Sequence, residues 1–154
     1  MTANQLKALS ATDFSEFTET QIGQFGAAQL GALSATNFSA IDATAIASLS
    51  ATQIKGVTTA QIAGLTATDA GEFTQTQIGS FSNAQVQALS ATNLSALDAT
   101  QTGGLTTTQV AALTTTQIKG LNETDISEFS DTQVGALTAA QIGSLSAKIG
   151  RAHV

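Results

Sequence analysis

The stretch LTTTQVAALTTTQIKGL, residues 105–121, spells one eight-letter word twice with small changes and then begins it again. Eight matches neither the 3.6-residue period of a helix nor the two-residue period of a strand. The repeat therefore encodes something other than one continuous element. Cutting the chain into eights from Met1 gives eighteen complete octads, ending at Ser144, with no insertion or deletion. Slot one is always large and apolar. Slot two is Ser, Thr, Asp or Asn in seventeen of eighteen (Gly26 excepted), and slot five is Gln, Asp or Asn in seventeen (Ala45 excepted). Slot six is apolar in all but Thr102, although Ala70 is small. The consensus is L-[ST]-x-T-Q-I-x-[AG].

An uninterrupted helix cannot use this pattern. Slots one and six would lie about 140° apart, and each octad would turn the pair by about 80° more, so no apolar stripe would form. Heptads and eleven-residue repeats track a partner helix, and eights do neither. The octad works instead as a helix start. A Ser, Thr or Asp at slot two is an N-cap, whose oxygen accepts from an orphaned backbone N–H. Slot five is then N3, where Gln reaching back completes a capping box, and slots one and six become the N′ and N4 partners of a hydrophobic staple. Glycines at slots seven and eight, as in IKG and TGG, suit the left-handed residue that ends many helices. Each helix is then five or six residues long and too short to be stable alone. Stacked on its neighbours, it predicts an all-α solenoid whose apolar faces line the axis. The alternative is a β-solenoid, favoured by the Thr, Ile and Val content but requiring a bend between slots of opposite parity.

A longer period overlies the octad. LSATDFSE, LTATDAGE and LNETDISE begin at residues 9, 65 and 121, seven octads apart, and residues 9–64 and 65–120 are identical at 33 of 56 positions. One array over residues 1–147 follows, built of blocks 9–64, 65–120 and 121–147. The pattern breaks in the last ten residues, LSAKIGRAHV, where Ile149 stands in slot five and Lys148 where Thr or Ala belongs. IGRAHV is similar to the in-frame translation of a common short-read sequencing adapter, ATC-GGA-AGA-GCA-CAC-GTC. On that likeness residues 148–154 form a non-repeat tail of artificial origin and the array is a fragment. Three lysines (Lys7, Lys55, Lys119) against eleven carboxylates would leave the rest at 3 − 11 = −8.

Composition narrows the chemistry. The chain has no Cys, Trp, Tyr or Pro and a formal charge of −6, which argues against nucleic acid as a partner. Its apolar runs are a few residues long, so no membrane-inserting helix is expected, and no signal peptide is visible. His153, the single histidine, is solitary and terminal, so nucleophilic triads and zinc sites lack their parts. No catalytic residue, cofactor-binding residue or cofactor is expected, and the chain reads as a non-enzyme. Carboxylates recur as Asp13 with Glu16, Asp69 with Glu72, and Asp125 with Glu128. These six are the weak candidates for a metal, as an oxygen-rich edge for Ca²⁺. The simpler reading puts each Asp at N3, facing the helix dipole, and each Glu on a solvated corner. Thr fills slot four in thirteen octads, and such rows raise ice or glycan binding as a further option.

Over residues 1–147 the word L-[ST]-x-x-Q-[IV]-x-x resembles octapeptide arrays in very long, repeat-rich, adhesin-like bacterial exoproteins. That resemblance implies a secreted or surface-attached spacer or scaffold with neighbouring repeats of the same parent chain as partners. Uncapped ends would also allow self-association. LTTTQVAAL is similar, too, to the opening of a TAL-effector repeat, but the longer repeat, base-reading loop and basic surface of that family are missing here.

Overall fold

The computed structural model describes residues 1–152, with residues 146–152 described by their backbone alone, so the side chains of Lys148, Arg151 and His153 lie outside the described residues. Each octad forms one helix, eighteen in all among the described residues, and no strand is found there. The first seventeen are four to six residues long, and the last, Ala139–Ala152, runs for 14. The chain is thus an all-α solenoid, and the β-solenoid alternative does not occur.

Each short helix starts as slot two dictates. Thr106 is extended (φ −72°, ψ 157°), and its hydroxyl accepts from the Gln109 N–H at 3.2 Å, while Gln109 Oε1 accepts from the Thr106 N–H at 2.7 Å. That reciprocal pair recurs along the array. Where slot five holds Asn37, Ala45 or Asn93 the backward half is missing, and the N-cap side chain alone closes the start. Gly26 has no capping oxygen, yet its N–H still donates to Gln29 Oε1 at 2.7 Å.

The helix ends differ from the expectation. Among the described residues no residue has a positive φ, glycines included. Instead, the N–H of the next slot-one residue donates to the slot-six carbonyl, as Leu113 does to Val110 at 3.2 Å and Leu105 to Thr102 at 3.1 Å. This i→i−3 bond tightens the last turn and satisfies an orphaned carbonyl without a left-handed residue. One residue, Leu113, therefore ends one helix and staples the next.

Packing along the axis follows one rule. Helix Ala27–Ala32 packs on Ala51–Lys55, that on Gln75–Ser80, and that on Ala99–Gly103, so each helix rests on the third one along. Slots one and six point inward and form a single apolar rod, with Leu6, Leu30, Ile54, Ile78, Val86 and Val110 fully buried. Burying such side chains stabilises by about 1.5–3 kcal/mol each. This burial offsets the nucleation cost that an isolated five-residue helix could not meet.

The glycines answer to this stacking. A Cβ on Gly56 would fall on the backbone of Ala27 in the previous turn, and one on Gly31 would lie 2.5 Å from the Gly56 carbonyl oxygen. They are present because two turns approach closely, not because a helix must end. Gly56→Ala should therefore destabilise by about 1–3 kcal/mol in urea unfolding. Gly135→Ala, whose Cβ would meet nothing within 4 Å, should stabilise by about 0.4–1 kcal/mol.

Candidate functional site

The most organised polar feature of the molecule is inside it. Gln85 lies at N3 of its helix and its Oε1 is used in the capping box, which leaves the Nε2 amide free to point elsewhere. It points down the axis and donates to the carbonyls of Ile54 at 2.9 Å and Val57 at 2.6 Å, 31 and 28 residues earlier. Gln61, Gln77, Gln109, Gln117, Gln133 and Gln141 repeat both offsets. Gln101 does so with a third acceptor at Gly71, and Gln53 takes Phe25 with Gly23. The accepting groups are the slot-six end of one helix and the slot-one start of the next. One amide therefore bridges a corner of the turn below, while its oxygen starts a helix in the turn above.

Apart from the half-buried Gln53 these glutamines are buried, with Gln85 only 3% exposed, and no buried side-chain nitrogen or oxygen among the described residues lacks a partner. Leaving such a group unpaired would cost about 1–3 kcal/mol, so the ladder is also a condition of close packing. In the sequence, capping alone explains slot five. The octad showed the local partner of Oε1 but carried no sign of the partner of Nε2, which lies 28 residues away.

The offsets also explain the longer period. Side-chain ties between turns span 25 to 31 residues, centred on 28, or three and a half octads. Twice 28 is 56, so the duplicated block makes two turns and returns each variant octad to the same place on the coil. Asn37 and Asn93, shorter than Gln, reach only the 28-residue partners, the carbonyls of Leu9 and Leu65. Asp69 and Asp125 have no N–H to offer and instead accept from Ser39 and Ser95, 30 residues earlier, each at 2.5 Å. Sizes are matched in the same way. At the 31-residue offset, where Gln101 reaches the Ala70 carbonyl in the second block, the first block has Phe14 and Ala45; all four are buried.

The six acidic candidates fall into this scheme. Asp13, Asp69 and Asp125 are N3 residues whose oxygens accept from their own N-caps, Ser10, Thr66 and Asn122. For Asp13, bonds from the Ser10 hydroxyl and N–H hold the carboxyl below its ordinary range. Glu16 is exposed, whereas Glu72 and Glu128 are half-buried, the latter 3.5 Å from the Thr102 hydroxyl. Burial, and then the charges of Asp69 and Asp42, push the Glu72 carboxyl up. Among the described residues no three or more His, Cys, Asp or Glu side chains gather closely enough to hold a metal.

On the outside, slots two, three and four face water, and every slot-four Thr from Thr12 to Thr132 is exposed. A shallow groove lined by Glu19, Thr20, Thr44 and Ser48 runs between two turns. No helix among the described residues is long and apolar enough to cross a membrane. Comparison with protein-family models, with curated proteins and with solved structures gives no match.

Three outcomes test this geometry. Gln85→Ala should cost about 2–4 kcal/mol in chemical unfolding, since a cap and two ties go together, against about 1 kcal/mol or less for the exposed Gln21→Ala. Ala70→Phe should destabilise alone and be partly rescued by adding Gln101→Ala, giving a favourable coupling in a double-mutant cycle. Glu72 has a raised folded-state pKa, so it lowers stability above that value and is neutral once protonated in both states. Glu72→Gln should then raise Tm at pH 7, with the gain fading as pH falls through the ordinary range near 4.5.

Proposed function

We propose that this chain is a structural repeat array, a spacer or scaffold segment of a long bacterial surface or secreted protein, without catalysis of its own. One observation carries the reading: each tie runs from a turn to the turn before it, so the coil can lengthen by octads without altering what is already built. Such a fold sets distance. Its stability is a sum of turn-on-turn terms, and any activity belongs to whatever the array separates or presents. The likeness of the octad to arrays of adhesin-like exoproteins supports the bacterial and extracellular setting. Neighbouring repeats of the parent chain are the expected partners at both ends.

A second reading, a binding module, draws on the exposed Thr rows and the acidic edge. Because a turn holds three and a half octads, the residue one turn above a slot-four Thr belongs to slot eight, so the rows are staggered. A flat lattice of hydroxyls suited to ice does not result, whereas a sugar needs no such lattice. Weak Ca²⁺ binding would draw on the recurring acidic edge, Asp13 with Glu16, Asp69 with Glu72 and Asp125 with Glu128, each a pair with no third carboxylate gathered to it among the described residues.

Chains extended by one and two further 56-residue blocks separate these readings. As a spacer, they should show maximum dimensions by small-angle scattering that grow in equal steps per block, with Tm rising toward a plateau. Growth only as the about 0.4 power of length would mean a compact globule and would overturn the proposal. A Tm shift on adding Ca²⁺ or oligosaccharide, in the chain as it stands, would favour the module.

A further inference from the structure

The ladder of glutamine amides has a gap inside the array. Ala45 fills slot five of its octad and has no side-chain amide, so helix Ala43–Ser48 starts on Asp42 alone. Among the described residues no side chain of residues 41–48 bonds to the turn before; Ser48 bonds to the Ala45 carbonyl of its own helix. The octad is held from above, where Gln77 donates to the carbonyls of Ile46 at 2.6 Å and Leu49 at 2.8 Å, but not from below. On one side of the gap Asn37 makes a single bond to the Leu9 carbonyl. On the other, Gln53 makes two, to Gly23 and Phe25. In the second block the place of Ala45 belongs to Gln101, which donates to Ala70, Gly71 and Phe73.

Other forces do not replace the missing ties. The charged side chains on the two facing stretches, residues 9–24 and 37–48, are Asp13, Glu16, Glu19 and Asp42, all negative, so no ion pair joins them. A groove of about 330 Å³ separates the turns there, lined by Glu19, Thr20, Gly23 and Gln24 below and by Thr44 and Ser48 above. What remains is apolar burial, with Phe14, Ala45 and Ile46 all buried. Such burial is non-directional, whereas an amide tie fixes one turn at one angle on the next.

We infer that the coil carries a hinge between its first and second turns, which opens along residues 41–48 and the groove while the two ties of Gln53, further round the turn, act as the pivot. The inference goes beyond the spacer reading, which needs only that turns stack. It puts one soft joint at a place fixed by the sequence, so the coil bends there and not evenly along its length. The fold itself does not require the gap, since the second block closes it with Ala70 and Gln101 in the places of Phe14 and Ala45. Segments with few fixed contacts are the ones that open at low cost.

Amide hydrogen exchange of the full chain tests the hinge, each rate being taken relative to that of the unfolded chain. The Ile46 and Leu49 amides bond to Asp42 and Ile46 above the gap, as Thr102 and Leu105 bond to Asp98 and Thr102 above the ties of Gln101. Ile46 and Leu49 should exchange at least about tenfold faster than Thr102 and Leu105, and faster by a like factor than Ile54 and Val57 at the pivot. Phe14→Ala with Ala45→Gln gives the first block the second block's pair. That double variant should bring Ile46 and Leu49 to within about threefold of Thr102 and Leu105, and should slow Phe17 below the gap as well, because one opening exposes both sides. Ile54 and Val57 should not change, which separates closing of the joint from a general gain in stability. Equal protection at the two places in the parent would overturn the hinge, as would a folded double variant whose Ile46 and Leu49 exchange as fast as before. Should the double variant fail to fold, the comparison within the parent decides alone. Neither result bears on how length grows with added blocks, so failure here stays distinct from failure of the spacer reading.

Discussion

The architecture depends on a single amide group used at both ends. In Gln85 the oxygen accepts from the Ser82 N–H and so starts a helix, and the nitrogen donates to Ile54 and Val57 and so fixes that helix to the turn below. A five-residue helix has too few internal bonds to persist in water. Tying its start to a buried corner of its neighbour makes local order and stacking one event. Asp can perform the first task but not the second, and Asn reaches only one of the two carbonyls. The variants at slot five therefore differ in how firmly turns are joined, not in whether helices begin.

A pitch of three and a half octads has consequences for how the chain could grow. Inserting a single octad would turn the later part of the coil by two sevenths of a turn and give the residues within one turn of the insertion new partners. Adding seven restores each partner. The duplicated 56-residue block is the smallest whole number of octads that also makes whole turns. The second block has Ala70 and Gln101 where the first has Phe14 and Ala45, so the larger of two buried residues 31 apart lies in one turn in the first block and in the next turn in the second. Close packing makes each pair answerable to the other.

Much of this was legible before any coordinates. Ser or Thr at slot two and Gln three places on named the N-cap and its box, and the staple pair named the inward face. These are interactions among residues at most five apart, where spacing is nearly geometry. The glycines have a different partner from the one their place in the octad suggests. Gly56 looks like a helix terminator in the one-dimensional string, but its neighbour is Ala27, and it holds an ordinary right-handed conformation. Likewise the acidic residues of the recurring edge were visible as a pattern, but not that Ser39 and Ser95 occupy their oxygens.

By itself, then, the sequence determined how the octad makes a helix: where each starts, how long it can be and which slots turn inward. Capping and stapling act within one octad, and an octad is visible in the string. Tertiary structure decided the rest: three and a half octads to the turn, the burial of the glutamine amides, the need for small residues where backbones meet, and the matching of distant pairs. Those depend on contacts 25 to 31 residues apart, whose offset is set by how far each corner bends. No local interaction encodes that angle. It emerges when slot-one and slot-six side chains close-pack around the axis and the amides find their carbonyls.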